Sequence, residues 1–123
     1  LQGVDLSGPE VLLPGKVAPY LSLAVHELGT NALKHGSLGV AGGRVTVRWE
    51  PVAADRVRLS WQERGGPAAV APPVTTPDRK GGFGSLLLTR VFEGATGGEV
   101  DMQFGTDGLH WTATIPTTVE LRL

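Results

Sequence analysis

Cysteine is absent from the 123 residues, which removes disulfides, thiol catalysis and thiolate-built metal sites. An excess of one charge is missing too: eleven Lys and Arg stand against twelve Asp and Glu, a formal net charge of −1. There is no basic surplus for a nucleic-acid backbone and no polybasic block for a membrane surface, so neither nucleic acid nor membrane is expected as a partner. No apolar run approaches the roughly 18 residues that a membrane-spanning helix needs. The three histidines, His26, His35 and His110, are too scattered along the chain for a metal cage. What remains is an ordinary globular balance, 41% hydrophobic and 19% charged, in a length that suits one domain over 1–123. The chain opens with Leu1 rather than Met, which reads as a piece of a longer protein.

Glycine and proline are plentiful, at 18 and 9, but follow no period, which argues against collagen and repeat architectures. Residues 6–13 read as an edge strand or extended lead-in closed by Pro14-Gly15. From Val17 to His35 the pattern is helical, with Leu21, Ala24, Val25, Leu28 and Ala32 forming one apolar stripe. Pro19 suits the first turn and Gly36 the stop. A hairpin follows: Val45, Val47 and Trp49 alternate with polar residues, a turn falls around residues 51–55, and Val57, Leu59 and Trp61 alternate back. Residues 64–82 have no periodicity and are rich in Pro and Gly, the composition of a functional lid or a disordered segment. A second helix is expected over 85–95 with Leu86, Leu87, Val91 and Phe92 facing inward. A last hairpin pairs Val100, Met102 and Phe104 with Leu109, Trp111, Ala113 and Ile115 across a turn at 106–108. The sum is an α/β two-layer sandwich, a mixed and mostly antiparallel sheet with helices on one face.

Three clusters carry chemistry. In HELGTNALKHG, residues 26–36, a helix brings Glu27, Asn31, Lys34 and His35 toward one face. A carboxylate, an amide oxygen and a cation there suit hydrated Mg²⁺ with a polyphosphate, because Mg²⁺ takes few protein ligands and keeps water and phosphate. The same residues also suit the solvated face of an amphipathic helix. In SWQERGGP, residues 60–67, an alternating strand ends in Glu63 followed by Gly65-Gly66. The carboxylate could accept from an exocyclic amine, or the segment could be a simple turn. In KGGFGS, residues 80–85, glycines at a helix start offer free N–H groups to an anion, or serve as a hinge. This is neither a P-loop, since no GKS or GKT follows, nor a dinucleotide fingerprint.

In this order and spacing the clusters resemble the GHKL nucleotide-binding domain, the Bergerat fold, over nearly the whole chain. Within it the chain is most similar to the HWE subfamily of bacterial sensor histidine kinases, marked by a His in the N box and Trp-x-Glu in the first glycine box, here His26 and Trp61-Gln62-Glu63. The resemblance implies ATP and Mg²⁺ as cofactors. By position, Asn31 matches the metal-binding Asn, Glu27 the polar or acidic residue near the metal and its waters, and Lys34 and His35 side chains that reach phosphate or ribose. Glu63 takes the place of the adenine-reading Asp, with Gly65 as the first glycine of that box. Gly82 and Gly84, with Phe83 and Ser85 beside them, match the second glycine box, whose amides face the phosphates. Thr112 would lie beneath the adenine end.

The sequence departs from the wider family pattern in several places. Glu replaces Asp at 63, Pro67 stands where the box's second glycine is usual, the lid has no F-box Phe, and Leu109 replaces a small or hydroxyl residue. His26, turned about 100° from Glu27 around the helix, is open to a nucleotide-facing or a structural role. The three tryptophans, at 49, 61 and 111, read as sheet core, and His110 as a polar-face residue.

The function so implied is the catalytic domain of a cytoplasmic two-component kinase. It would pass the γ-phosphoryl of ATP to a His on a separate helical dimerisation domain, with a response-regulator receiver domain downstream, residues 64–82 serving as the ATP lid. By itself the chain is expected to be monomeric and not to autophosphorylate. The competing reading is a GHKL regulatory module, or an anti-sigma-type serine kinase, acting through a partner protein.

Overall fold

A computed structural model describes residues 3–70 and 85–117. Its elements are strand β1 (Val4–Ser7), helix α1 (Ala18–His35), a 3₁₀ turn (Ser37–Gly39), β2 (Arg44–Ala53) and β3 (Arg56–Arg64). A second helical segment follows, a π-helical stretch (Leu87–Val91) continuing as α-helix (Phe92–Thr96), together α2. Strands β4 (Glu99–Gly105) and β5 (Gly108–Pro116) complete the order. The sheet runs β1-β2-β3-β5-β4, with β1 parallel to β2 and every other pair antiparallel. The two-layer sandwich expected from the pattern is the one observed.

Alternation decides what the sheet buries. Val45 and Val47 on β2, Val57, Leu59 and Trp61 on β3, and Leu109, Trp111, Ala113 and Ile115 on β5 form one buried face. Register stacks them, since Val47 pairs with Trp61, Trp61 with Trp111, Leu59 with Ala113 and Val57 with Ile115. Against this face α1 lays Ala24, Leu28 and Ala32 and α2 lays Leu88 and Phe92. The Phe92 and Trp111 rings meet edge to face at 5.2 Å, and the Trp111 indole N–H donates to the Leu88 carbonyl at 2.8 Å.

Four expectations change. The first strand is Val4–Ser7 rather than 6–13, because Pro9 has no N–H to continue the ladder. Pro51 lies within β2 rather than in the turn: β1 ends opposite Arg48, so β2 is an edge at Pro51 and no partner on that side needs its N–H. Val25 is 42% exposed, off the α1 stripe that meets the sheet. On α2 the buried residues are Leu88, Phe92 and Thr96, while Leu86 and Val91 are 44% and 37% exposed. A π-helical turn holds more residues than an α-helical one, so the inward positions of α2 depart from those read off ideal α-helical winding.

Thr96 closes α2 by donating its hydroxyl to the Phe92 carbonyl at 2.7 Å and accepting from the Gly98 amide at 3.1 Å, both buried. Thr96→Val keeps the shape and removes both partners. It is expected to cost about 1–3 kcal/mol, read as a lower urea midpoint at unchanged m.

Candidate functional site

The alternation that builds β3 runs one residue past its apolar members and places Glu63 on the buried face. Its side chain is 2% exposed. A polar group buried without partners is costly, and this one has two: the Ser37 amide donates to Oε1 and the Trp61 indole N–H to Oε2, each at 3.2 Å. No Lys or Arg forms an ion pair with it among the described residues. Space for the carboxyl is made by glycines. A Cβ at Gly36 would collide with Oε1, and one at Gly108 with the Glu63 Cβ. Gly36 ends α1 as the sequence reading expects, its amide donating to the Ala32 carbonyl at 3.1 Å, but its backbone is extended (φ −124°), so close approach rather than a left-handed turn requires glycine here.

Glu63 lies in the wall of a cavity of about 370 Å³ at the C-terminal end of α1. Asn31, His35, Gly36 and Ser85 line it, with Pro67–Val70 on one side and Met102, Phe104, Gly108 and Leu109 from the β4–β5 hairpin on another. The wall after β3 is tied down: the Gly66 amide donates to the Asp107 carbonyl at 3.0 Å and the Ala69 amide to the Gly105 carbonyl at 2.9 Å. The first residues of the expected lid are therefore bound to the last hairpin. Residues 71–84, which include the rest of that lid and Gly82, Phe83 and Gly84, lie outside the described residues.

The structure thus brings together Asn31, His35, Glu63 and Ser85. Glu27 and Lys34 lie on the same helix but outside the cavity lining. Gly65 adopts a left-handed turn (φ 71°) and donates its amide to Asp107 Oδ2 at 3.4 Å, behind the wall rather than in the cavity. Thr112 falls between the inward-facing Trp111 and Ala113, so it sits on the opposite face of the sheet, away from the cavity. His26 lies on the other flank of α1, in a larger groove of about 920 Å³ whose lining is almost wholly apolar. That groove contains neither Asn31 nor Glu63, which both line the smaller cavity. Sequence reasoning missed Met102, Phe104 and the Ser37 amide. Only the strand parity of Met102 and Phe104, which puts them on one face of β4, hinted at their place.

Few side chains at this cavity could hold Mg²⁺. Asn31 is the one amide side chain in the cavity lining, and no cluster of three His, Asp or Glu exists among the described residues. That set does not build an all-protein cage, and it fits an ion held by one side chain, water and phosphate.

No protein-family model matches the chain. A blue-light-activated histidine kinase of Erythrobacter litoralis is 38% identical over 113 residues, covering 92% of this chain and 30% of the relative. The chain therefore spans about a third of that protein's length. The solved histidine kinase domain of an Erythrobacter litoralis blue-light-activated kinase superposes with a TM-score of 0.70 at 26% identity, over 93% of this chain and 51% of that one. The catalytic domain of histidine kinase ThkA superposes at 0.67 and 18%, over 95% and 82%. ThkA has also been solved in complex with the response regulator protein TrrA, where the TM-score is 0.60 at 16% identity over 94% of this chain and 34% of that one. The fold is the GHKL-type fold of histidine kinase catalytic domains. In sequence the chain is a relative of the blue-light-activated histidine kinases.

Proposed function

We propose that the chain is the Mg-ATP-binding catalytic domain of an HWE-type sensor histidine kinase, one domain over 1–123 within a longer cytoplasmic signalling protein. The observation that carries the reading is Glu63: a buried carboxyl in a cavity wall, held by two neutral donors and able to accept more. Such an acceptor suits adenine, whose exocyclic amine donates. His35 and Ser85, at the cavity's edge, suit ribose or phosphate. Asn31 would hold Mg²⁺, with Glu27 one helical turn earlier near its waters. Bound Mg²⁺ supplies charge neutralisation of the phosphates. The protein's own contribution is to orient the nucleotide and exclude water, leaving the γ-phosphorus open to a histidine of a dimerisation domain. In that transfer the imidazole nitrogen bonds to phosphorus, the bond to the β,γ-bridging oxygen breaks, and ADP departs. The phosphoryl group then passes to a receiver domain. Among the described residues no helix is long and apolar enough to cross a membrane.

Calorimetric titration with ADP and a non-hydrolysable ATP analogue, with and without Mg²⁺, tests this. Wild type should bind both more tightly with Mg²⁺. Asn31→Ala should keep metal-free binding and lose the Mg²⁺ enhancement. A folded chain that binds neither nucleotide overturns the proposal.

A further inference from the structure

Glu63 cannot read a base unless its carboxyl is held still. A free Glu side chain has three torsions, and ordering it costs rotamer entropy. Glu63 is one methylene longer than the Asp of the wider pattern, so it needs more holding. The geometry points to Trp61 as the positioning residue that fixes the Glu63 carboxyl and thereby sets selectivity for a base with an exocyclic amine over one with a carbonyl. This inference rests on Glu63 as the base-reading group.

Trp61 and Glu63 are two apart on β3, so their side chains leave the same face of the sheet. The indole N–H reaches Oε2 at 3.2 Å. The other two indoles donate to backbone carbonyls, Trp49 to Pro9 and Trp111 to Leu88, so Trp61 alone of the three is committed to a side chain. Its ring is buried, paired in register with Val47 on one side and Trp111 on the other, and its outer flank lines the larger apolar groove, so its position is set by these neighbours and by the bond to Glu63. The Ser37 amide holds the second oxygen from the end of α1, and Gly36 leaves the space for that oxygen. Two rigid donors, one per oxygen, dictate the carboxyl plane. The remaining lone pairs then face whatever enters the cavity. They attract the amine of adenine and repel the 6-carbonyl of hypoxanthine or guanine.

A merely structural Trp61 would change stability without changing which base is preferred. ATP and inosine triphosphate differ at that position, so their affinities should be titrated against wild type, Trp61→Phe, Glu63→Gln and the double variant. Trp61→Phe is expected to weaken ATP about tenfold, the scale of one lost hydrogen bond to a carboxyl, and to leave inosine triphosphate within about twofold, a margin well inside one such bond. In the Glu63→Gln background it should have no further effect on the ratio, because the group it acts through has changed.

Equal losses for both nucleotides, or a Trp61→Phe effect that adds fully to Glu63→Gln, overturn the clamp while leaving Glu63 as the reader. An unchanged ratio in Glu63→Gln overturns the reader, and the clamp with it. If Trp61→Phe does not fold, the wild-type indole N–H resonances decide. The Trp61 signal should resist solvent exchange, move in Glu63→Gln, and shift on adding ATP more than on adding inosine triphosphate. A Trp61 indole proton that exchanges freely and ignores Glu63→Gln overturns the assignment.

Discussion

Glu63→Gln is expected to lower the affinity for ATP by about 100-fold, far more than its near-identical shape suggests, because the adenine amine loses a carboxyl acceptor, the kind of hydrogen bond worth about 1.5–3 kcal/mol, while the unpaired donor left inside the protein lowers stability as well. The reason is in the partners. Oε1 faces the Ser37 amide and Oε2 the Trp61 indole, and both are donors. Glutamine has one acceptor oxygen and one NH₂. Whichever way the amide is turned, its nitrogen opposes a donor, and only one of the two existing bonds survives. An adenine amine arriving in the cavity then meets a side chain with less acceptor capacity and no preferred orientation. Titration by calorimetry reads the loss, and circular dichroism establishes that the variant is folded. Affinity within twofold of wild type would mean that Glu63 does not contact the base.

The largest loss of stability is expected at Trp111. It is fully buried on β5, flanked in register by Trp61 on β3 and Met102 on β4, packed edge to face on Phe92, and bonded through its indole to the Leu88 carbonyl in the π-helical stretch of α2. Trp111→Ala removes all of this and leaves a cavity between sheet and helices, for which about 3–5 kcal/mol is typical. Domains of this size hold on the order of 5–15 kcal/mol in total, so the variant should sit near or past its unfolding threshold at 25 °C. Chemical denaturation monitored by far-UV circular dichroism measures it. Trp111→Phe separates the terms. It keeps most of the apolar contact but leaves the Leu88 carbonyl without its donor, and it should fall between wild type and the alanine variant. A Trp111→Ala loss below about 1 kcal/mol would show that the helical layer is not anchored at this point.

Periodicity made most of the scaffold readable. Period two over Val57–Trp61 and Leu109–Ile115, and the 3.6 period of Ala24, Leu28 and Ala32, correspond to the buried faces observed. Periodicity did not reveal departures from ideal winding. The π-helical stretch leaves no mark in composition, so the pattern points to Leu86, Leu87 and Val91 where the structure buries Leu88. Pro51 reads as a turn until it is known that its strand has lost one neighbour. Asn31, His35, Glu63 and Ser85, which the family resemblance singles out from three separate segments, line one cavity. Strand parity alone would have moved Thr112 to the far face, since it alternates with Trp111. Gly36 was legible as a glycine but not for its reason, because the atom it makes room for belongs to a residue 27 positions later. Close approach of distant segments is a tertiary fact, and local sequence does not carry it.

The strand order has a consequence in time as well as in space. Among the described residues, strand β5 is the last of five along the chain, yet it lies between β3 and β4 and is the only strand that joins them. During synthesis β1, β2 and β3 emerge first and can pair among themselves, and β4 has no place to dock until β5 follows it out of the ribosome. Until then the inner edge of β3, which carries Trp61 and Glu63, is open to water and to other strands. The hairpin that supplies Gly108, Leu109 and Met102 to the cavity arrives in that same final step. A nascent chain therefore lacks this cavity, and stabilisation by any ligand bound there begins only after the central strand has been threaded into its gap.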